Sequence, residues 1–255
     1  MTEWSIVLAS DLHFGKNELY LAAKKAIVRS ILQNKETDNI QMVISAGDLT
    51  EYGTDGLSFC GLRKHTADEL GLLKKEWVEP LDATGITTLL TIGNHDTYAG
   101  HPYIYKPVMR YVAQRHNATF HPLFRMYRSG YYAYEKNGVR FLSLGVKPTY
   151  WKWIKKHLTH EMPMILFYHF NTIDTEPYSD WWSEKNKKKF DAMIEPYKKN
   201  ILFIVNGHCH NSTFNTEWNG VHMINGAGVY DPVKVTMEGT HVKTIDTLLT
   251  TESYK

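Results

Sequence analysis

Seven oxygen and imidazole donors lie along this chain in five short motifs: Asp11 and His13, Gly47-Asp48, Gly93-Asn94-His95-Asp96, His169, and Gly207-His208-Cys209-His210. Nearly all follow apolar runs that read as buried strands. Aspartate, asparagine and histidine without thiolate make a borderline-hard ligand set, suited to manganese, iron or zinc and poor for copper(I) or an iron–sulfur cluster. The number of donors is right for two ions, and the chemistry such a pair supports is hydrolysis of a phosphate ester. Asp11 and His13 are two residues apart, so both side chains point one way if the backbone stays extended. His208 and His210 repeat that spacing, with Cys209 facing away, so each ion receives one imidazole from the pair. Asp48, after a glycine that permits a sharp turn, has two carboxylate oxygens with which to bridge two ions.

The elements that must carry these residues can be read from periodicity. Ile6 to Ala9, Gln41 to Ala46, Ile86 to Ile92, Met164 to Phe167 and Ile201 to Val205 are short apolar runs that stop at the motifs. Leu19 to Gln33 has helical spacing, and residues 64–79 predict a second helix ending at Pro80. Strands are expected at Gly130 to Glu135 and Val139 to Leu144 around an Asn137-Gly138 turn. Helices are expected over Thr149 to His160 and Ser183 to Lys199, and successive β segments over residues 213–249. Strand–helix alternation followed by a mainly β tail fits an α/β fold of two packed sheets flanked by helices, and fits an open doubly wound sheet less well. Strand-end motifs would then converge at one edge.

Composition sets the limits. The chain has 255 residues, 43% hydrophobic and 22% charged, and is read as one domain (1–255) with an aromatic-rich excursion at about 98–128. Lys and Arg number 29 against 27 Asp and Glu, so no global field announces a nucleic-acid partner. Two cysteines, Cys60 and Cys209, make no disulfide framework, which fits a reducing, cytoplasmic setting. The stretch from Met1 to Ala9 has no basic n-region and only a short apolar run, so it reads as a first core strand and not as a signal peptide, and no apolar run approaches the roughly 18 residues of a membrane span.

The order DxH, GD, GNHD, H, GHxH resembles the calcineurin-like metallophosphoesterase superfamily, from Asp11 to His210. The resemblance implies one ion held by Asp11, His13, Asp48 and His210, and a second by Asp48, Asn94, His169 and His208. It implies an α/β fold of two packed mixed β-sheets flanked by helices, a four-layer sandwich, and, with two divalent ions (manganese, iron or zinc; manganese in vitro), a phosphatase or phosphodiesterase acting on a small phosphate ester such as a nucleotide. Many members carry a glycine before the fifth-motif histidine and a proline two residues after it. Here the segment is Tyr168-His169-Phe170-Asn171, which leaves His157, His160 and His222 as alternatives to His169.

His95, beside Asn94, is expected to face substrate as charge stabiliser or proton donor. Asp96 is expected to accept the other N–H of that imidazole. Lys185, Lys187, Lys188 and Lys189 read as a solvated helix face. Trp181 and Trp182 read first as packing residues and second, beside Asp180, as a wall of the site; Arg110, Arg115, Arg125 and Arg128 read first as partners of surface acids and second as contacts to a further phosphate or a base. Two competing readings remain. A nuclease on DNA or RNA is disfavoured by the near-neutral charge, and an inert binding module is disfavoured by the complete ligand set.

Overall fold

A computed structural model describes residues 2–56, 67–97, 106–121, 126–172, 182–210, 214–225 and 232–248. Cys60, Arg125, Asp180, Trp181, residues 64–66 and part of the aromatic excursion (98–105 and 122–125) lie outside them. The first sheet contains β1 (Glu3–Leu8), β2 (Ile40–Ala46), β3 (Thr87–Thr91), β10 (Val233–Glu238) and β11 (His241–Thr247), in the order β11-β10-β1-β2-β3. The second contains β4 (Tyr131–Lys136), β5 (Val139–Leu144), β6 (Met164–Phe167), β7 (Ile201–Asn206), β8 (Phe214–Trp218) and β9 (Val221–Asn225), in the order β4-β5-β6-β7-β9-β8. Both sheets are mixed. β1, β2 and β3 run parallel, as do β5, β6, β7 and β9, and the remaining pairs are antiparallel.

Alternation along the strands explains the layers. Ile6, Leu8, Met42, Ile44, Val235 and Met237 face Phe141, Ile165, Phe167, Phe203 and Val205, so the two sheets share one apolar interior. Val7, Val43 and Leu90 point the other way, onto Ile27 and Ile31 of α1 (Glu18–Gln33) and onto Leu73, Trp77 and Leu81. On the far side, Leu142, Leu144, Met164, Leu166 and Ile204 pack on Ile154 of α5 (Trp151–His157) and on Phe190 and Ile194 of α6 (Glu184–Ile194). The four-layer sandwich expected above is the observed architecture.

Three local expectations need adjusting. The helix expected to stop at Pro80 runs on: α2 (Glu69–Leu73) continues through a π turn, Lys74–Val78, into α3 (Glu79–Asp82). The Glu79 N–H bonds back five residues to the Lys74 carbonyl, and the widened turn admits the proline ring that a regular helix would exclude. The lysine-rich helix is shorter, passing at Glu195 into a 3₁₀ segment, Glu195–Asn200, where Pro196 breaks the α ladder. Lys187 is buried and paired with Glu184 at 2.9 Å, so it does not belong to the solvated face. Trp182 is buried against Tyr168 and Phe190 and packs the outer core, the first of its two readings.

Within the excursion, α4 (Pro107–His116) lays Val108, Met109 and Val112 on the outer core of the first sheet. Two of its arginines are engaged there: Arg115 pairs with Asp82 at 2.8 Å and Arg110 lies over Phe120. His116 closes the helix, stacked 4.4 Å from Tyr132, with Nε2 accepting the Leu90 N–H at 3.2 Å. Burial, helped by the Arg115 charge, pushes this imidazole down to about 3. Its folded value therefore lies below the unfolded value of about 6.5. Its contribution to stability is whole above about pH 6.5 and is lost as pH falls towards 3, at no more than about 1.4 kcal/mol per pH unit. His116→Gln keeps an acceptor for Leu90 but cannot take the proton. Chelated protein unfolded in urea across that window is expected to lose stability more shallowly for the variant; identical slopes would remove His116 from the acid limb.

Candidate metal centre

All five motifs sit just beyond the carboxyl ends of parallel strands: Asp11 and His13 after β1, Asp48 after β2, Asn94 and His95 after β3, His169 after β6, and His208 and His210 after β7. Both sheets open onto the same edge, so residues up to 199 positions apart meet there. The turns are tight. Asp11, His13, Asp48 and His208 all have positive φ (53°, 46°, 48° and 74°), a conformation that is costly for residues with a Cβ and that gathers at functional sites. This corrects the expectation of an extended backbone after β1. Asp11 and His13 converge because the chain coils left-handed at both, not because an extended strand alternates.

Space is as tight as the backbone. A Cβ on Gly93 would fall 2.1 Å from Asp48 Oδ1 and 2.2 Å from Asp48 N, and one on Gly47 (φ 91°) would meet His169 Nδ1 at 2.7 Å. Only glycine lets these two loops close onto the aspartate.

The donors fall into three groups, two of which share Asp48. Ligand atoms of Asp11, His13, Asp48 and His210 lie within 4.8 Å of one another, as do those of Asp48, His169 and His208, and those of His13, Glu51 and His95. Asn94 Oδ1 is 3.0 Å from His169 Nε2. Asp11 Oδ1 is 3.2 Å from His210 Nε2, and its two oxygens accept the His208 N–H at 2.9 and 3.1 Å. Asp48 Oδ1 accepts the His95 N–H, whereas Oδ2, buried and without a hydrogen bond, faces Nε2 of His169, His13 and His95 at 3.2, 3.8 and 3.9 Å.

Hydrogen bonds at the outer nitrogens set the imidazoles. His169 Nδ1 donates to the Ala46 carbonyl at 2.9 Å, and His13 Nδ1 meets the Glu51 carboxylate at 2.7 Å. Each ring therefore turns Nε2 inward. His13 Nε2 and His210 Nε2 consequently face one another at 3.0 Å, two nitrogens drawn together where only one can hold a proton between them. Burial opposes charge on Asp11 and Asp48, yet His210 holds the first, and His169 the second, below the usual carboxylate range. Burial also opposes charge on His169, but Asp48 draws it up to about 9, while burial and the His169 charge push His208 down to about 3. A bare carboxylate oxygen, inward-turned ring nitrogens and one imidazole pulled towards the cationic form together describe a site that fits positive charge. With nitrogen and oxygen donors alone, divalent cations fit it.

Among the alternatives to His169, His157 stacks on Trp153, His160 stacks on Tyr197, and His222 lies on β9; none joins these groups. Cys209 turns away and its sulfur meets Asn171. The role expected of Asp96 is corrected. Its oxygens accept the N–H groups of Leu49, Thr50 and Gly93 and the Thr50 hydroxyl, so it staples the β2 and β3 loops together and does not touch the His95 ring. Burial and the nearby Asp48 charge push its carboxyl up to about 7. The carbonyl of Glu51 takes the His95 Nδ1–H instead, at 2.8 Å. Glu51 was not singled out from sequence, although an acid three residues after a candidate bridging aspartate, in the same loop, was a usable signal.

A family model described as calcineurin-like phosphoesterase matches residues 5–233. No curated protein matches the chain. Among solved structures, a dimetal phosphatase from Danio rerio superposes with a TM-score of 0.60 at 14% identity, covering 97% of this chain and 99% of the other. A 5'-nucleotidase of Staphylococcus aureus, described as putative and solved in complex with alpha-ketoglutarate, gives 0.59 at 15% identity over 99% of this chain and 55% of its own. GAP50 of Plasmodium, described as the anchor in the inner membrane complex, gives 0.61 at 10% identity over 97% and 90%. At these identities the likeness is one of fold. No helix among the described residues is long and apolar enough to cross a membrane.

Proposed function

Because the chain belongs to the calcineurin-like phosphoesterase family, we propose that it hydrolyses a phosphomonoester or phosphodiester with two divalent cations held at this strand-end centre. The observation that supports the reading is the sharing of one buried carboxylate, Asp48, by two groups of donors. In this assignment Asp11, His13, Asp48 and His210 hold one cation, and Asp48, Asn94, His169 and His208 hold the other. When bound, two such cations would supply Lewis acidity, bringing the pKa of water from about 15.7 towards neutrality and offsetting charge on the phosphoryl oxygens.

The chain's own groups do the rest. Asp48 Oδ2 and the inward Nε2 atoms of His13 and His169 would hold the cations, and so fix where a phosphate is drawn. His95, its side chain 26% exposed, opens to solvent beside Asp48, as His210 (25%) does beside Asp11. With Nδ1–H committed to the Glu51 carbonyl, Nε2 is the nitrogen that gives a proton to the leaving oxygen. Asp96 holds the two loops in register. Exhaustive chelation is expected to abolish hydrolysis of an aryl phosphate, and added manganese to restore it. Full turnover in protein shown by elemental analysis to be free of metal would overturn the reading.

A further inference from the structure

Large apolar side chains are almost all covered here. Among the described residues only Leu19 (56%) and Tyr127 (39%) are exposed. Tyr127 stands at the inner end of the aromatic excursion, and contacts lead from it to the metal edge. The Lys147 ammonium lies 4.6 Å from the Tyr127 ring centre and 5.5 Å from that of Phe170. The Phe170 ring is in turn 4.7 Å from the ring of His208. Lys147 belongs to the turn after β5, and that turn is held rigidly: the Tyr131 hydroxyl donates to the Lys147 carbonyl at 2.7 Å and accepts the Thr149 N–H at 2.8 Å. Thr149 Oγ1 reaches back to the Tyr127 carbonyl, and Arg128 lies over Tyr150. An exposed ring, an ammonium and a pinned turn thus adjoin the centre on one side.

We propose that Tyr127 and Lys147 form a substrate subsite beside the metal centre, Tyr127 stacking a nucleobase and Lys147 meeting the phosphate oxygens of a nucleoside phosphate. The proposal rests on the phosphoesterase reading for which phosphate is cut, and names the substrate class. Contacts run from the Tyr127 ring through the Lys147 ammonium and the Phe170 ring to His208, so Lys147 stands nearer the metal edge than Tyr127 does. Tyr127 lies one ammonium and one phenyl ring farther out. A phosphate bonded directly to an aromatic ring, as in phosphotyrosine, would place that ring short of Tyr127. A sugar between phosphate and base supplies the missing separation. Stacking on tyrosine suits a base because every base offers a π face, and the nearby ammonium adds attraction for the phosphate. Of the four arginines first considered for this role, Arg110, Arg115 and Arg128 are engaged elsewhere, and Arg125 lies outside the described residues. The subsite uses the other end of the same excursion.

Saturation-transfer-difference NMR with AMP in the presence of chelator tests the subsite without turnover. Base protons of AMP are expected to receive saturation from wild-type protein and from Tyr127→Phe, and to lose it in Tyr127→Ala. In manganese-loaded enzyme, Tyr127→Ala should raise KM for AMP about tenfold while leaving KM for glycerol phosphate and kcat for both unchanged. Lys147→Gln should raise KM for both. Absence of base saturation in the wild type, its survival in Tyr127→Ala, or equal weakening of AMP and glycerol phosphate by that variant would each overturn the proposal, as would a phosphotyrosine peptide that depends on Tyr127 more than AMP does. Base contact in a protein that hydrolyses no phosphate ester with any divalent metal supports the subsite and removes the phosphoesterase reading instead.

Discussion

Asp48→Ala is expected to cost more activity than any other single change, at least about a thousandfold in kcat/KM on an aryl phosphate, together with loss of bound metal. Asp48 is 1% exposed and is the one carboxylate common to both donor groups. Its removal withdraws a ligand from each cation and half of the negative charge that the two buried aspartates bring against five imidazoles. The neighbouring rings cannot replace it, because His169 and His13 have their outer nitrogens committed to Ala46 and Glu51 and cannot swing. Asp48→Asn separates shape from charge. The amide fills the same space and keeps an acceptor for the His95 N–H, but it replaces the charge at the centre with a neutral dipole. Both variants are expected to bind fewer than two manganese ions per chain by elemental analysis. Two ions retained with turnover within tenfold of wild type would show that Asp48 does not link the sites.

The motifs were legible because each closes a short apolar run, and runs of β-branched and leucine residues that stop at Gly-Asp or Gly-Asn can be recognised locally. The layer architecture followed from the same alternation. Long-range pairing was less accessible: β10 lies beside β1, and Glu238 opposite Glu3, because of a register that no local pattern encodes. Backbone conformation at the site was hidden for a different reason. Left-handed φ is announced in sequence by glycine, whereas here four of the strained residues are Asp11, His13, Asp48 and His208, and tertiary contacts hold them there. Pro80 misled because a proline normally ends a helix, and the π turn before it removes the clash. Asp96 and Glu51 show the limit for polar side chains. Adjacency in sequence suggested that Asp96 serves His95, but the turn points the carboxylate back into the loops and leaves the ring to a backbone carbonyl, which has no sequence signature.

His95→Ala is expected to lower turnover with both metals retained, and by an amount that depends on the leaving group. The ring touches the centre from its open side: Nε2 is 3.9 Å from Asp48 Oδ2, while the buried imidazoles come closer or are enclosed. A carbonyl can only accept, so the bond at 2.8 Å to Glu51 places a proton on Nδ1 in either charge state, and any proton transferred must leave from Nε2. A group able to protonate the departing oxygen contributes roughly 10²- to 10⁴-fold. The whole of that is needed when the leaving group is an alkoxide, as in glycerol phosphate, and little of it when it is nitrophenolate, which leaves unprotonated. The variant should therefore lose about two to four orders of magnitude in kcat on the first and far less on the second, with manganese content unchanged. Equal losses on both would assign His95 to stabilising charge on the phosphoryl group, and loss of metal would make it a ligand. The Glu51 carbonyl supplies a further discrimination. Because the ring is aimed by backbone, Glu51→Gln should leave the leaving-group dependence intact and act through His13, whose Nδ1 it holds at 2.7 Å, appearing as weaker manganese affinity and not as a lost proton donor.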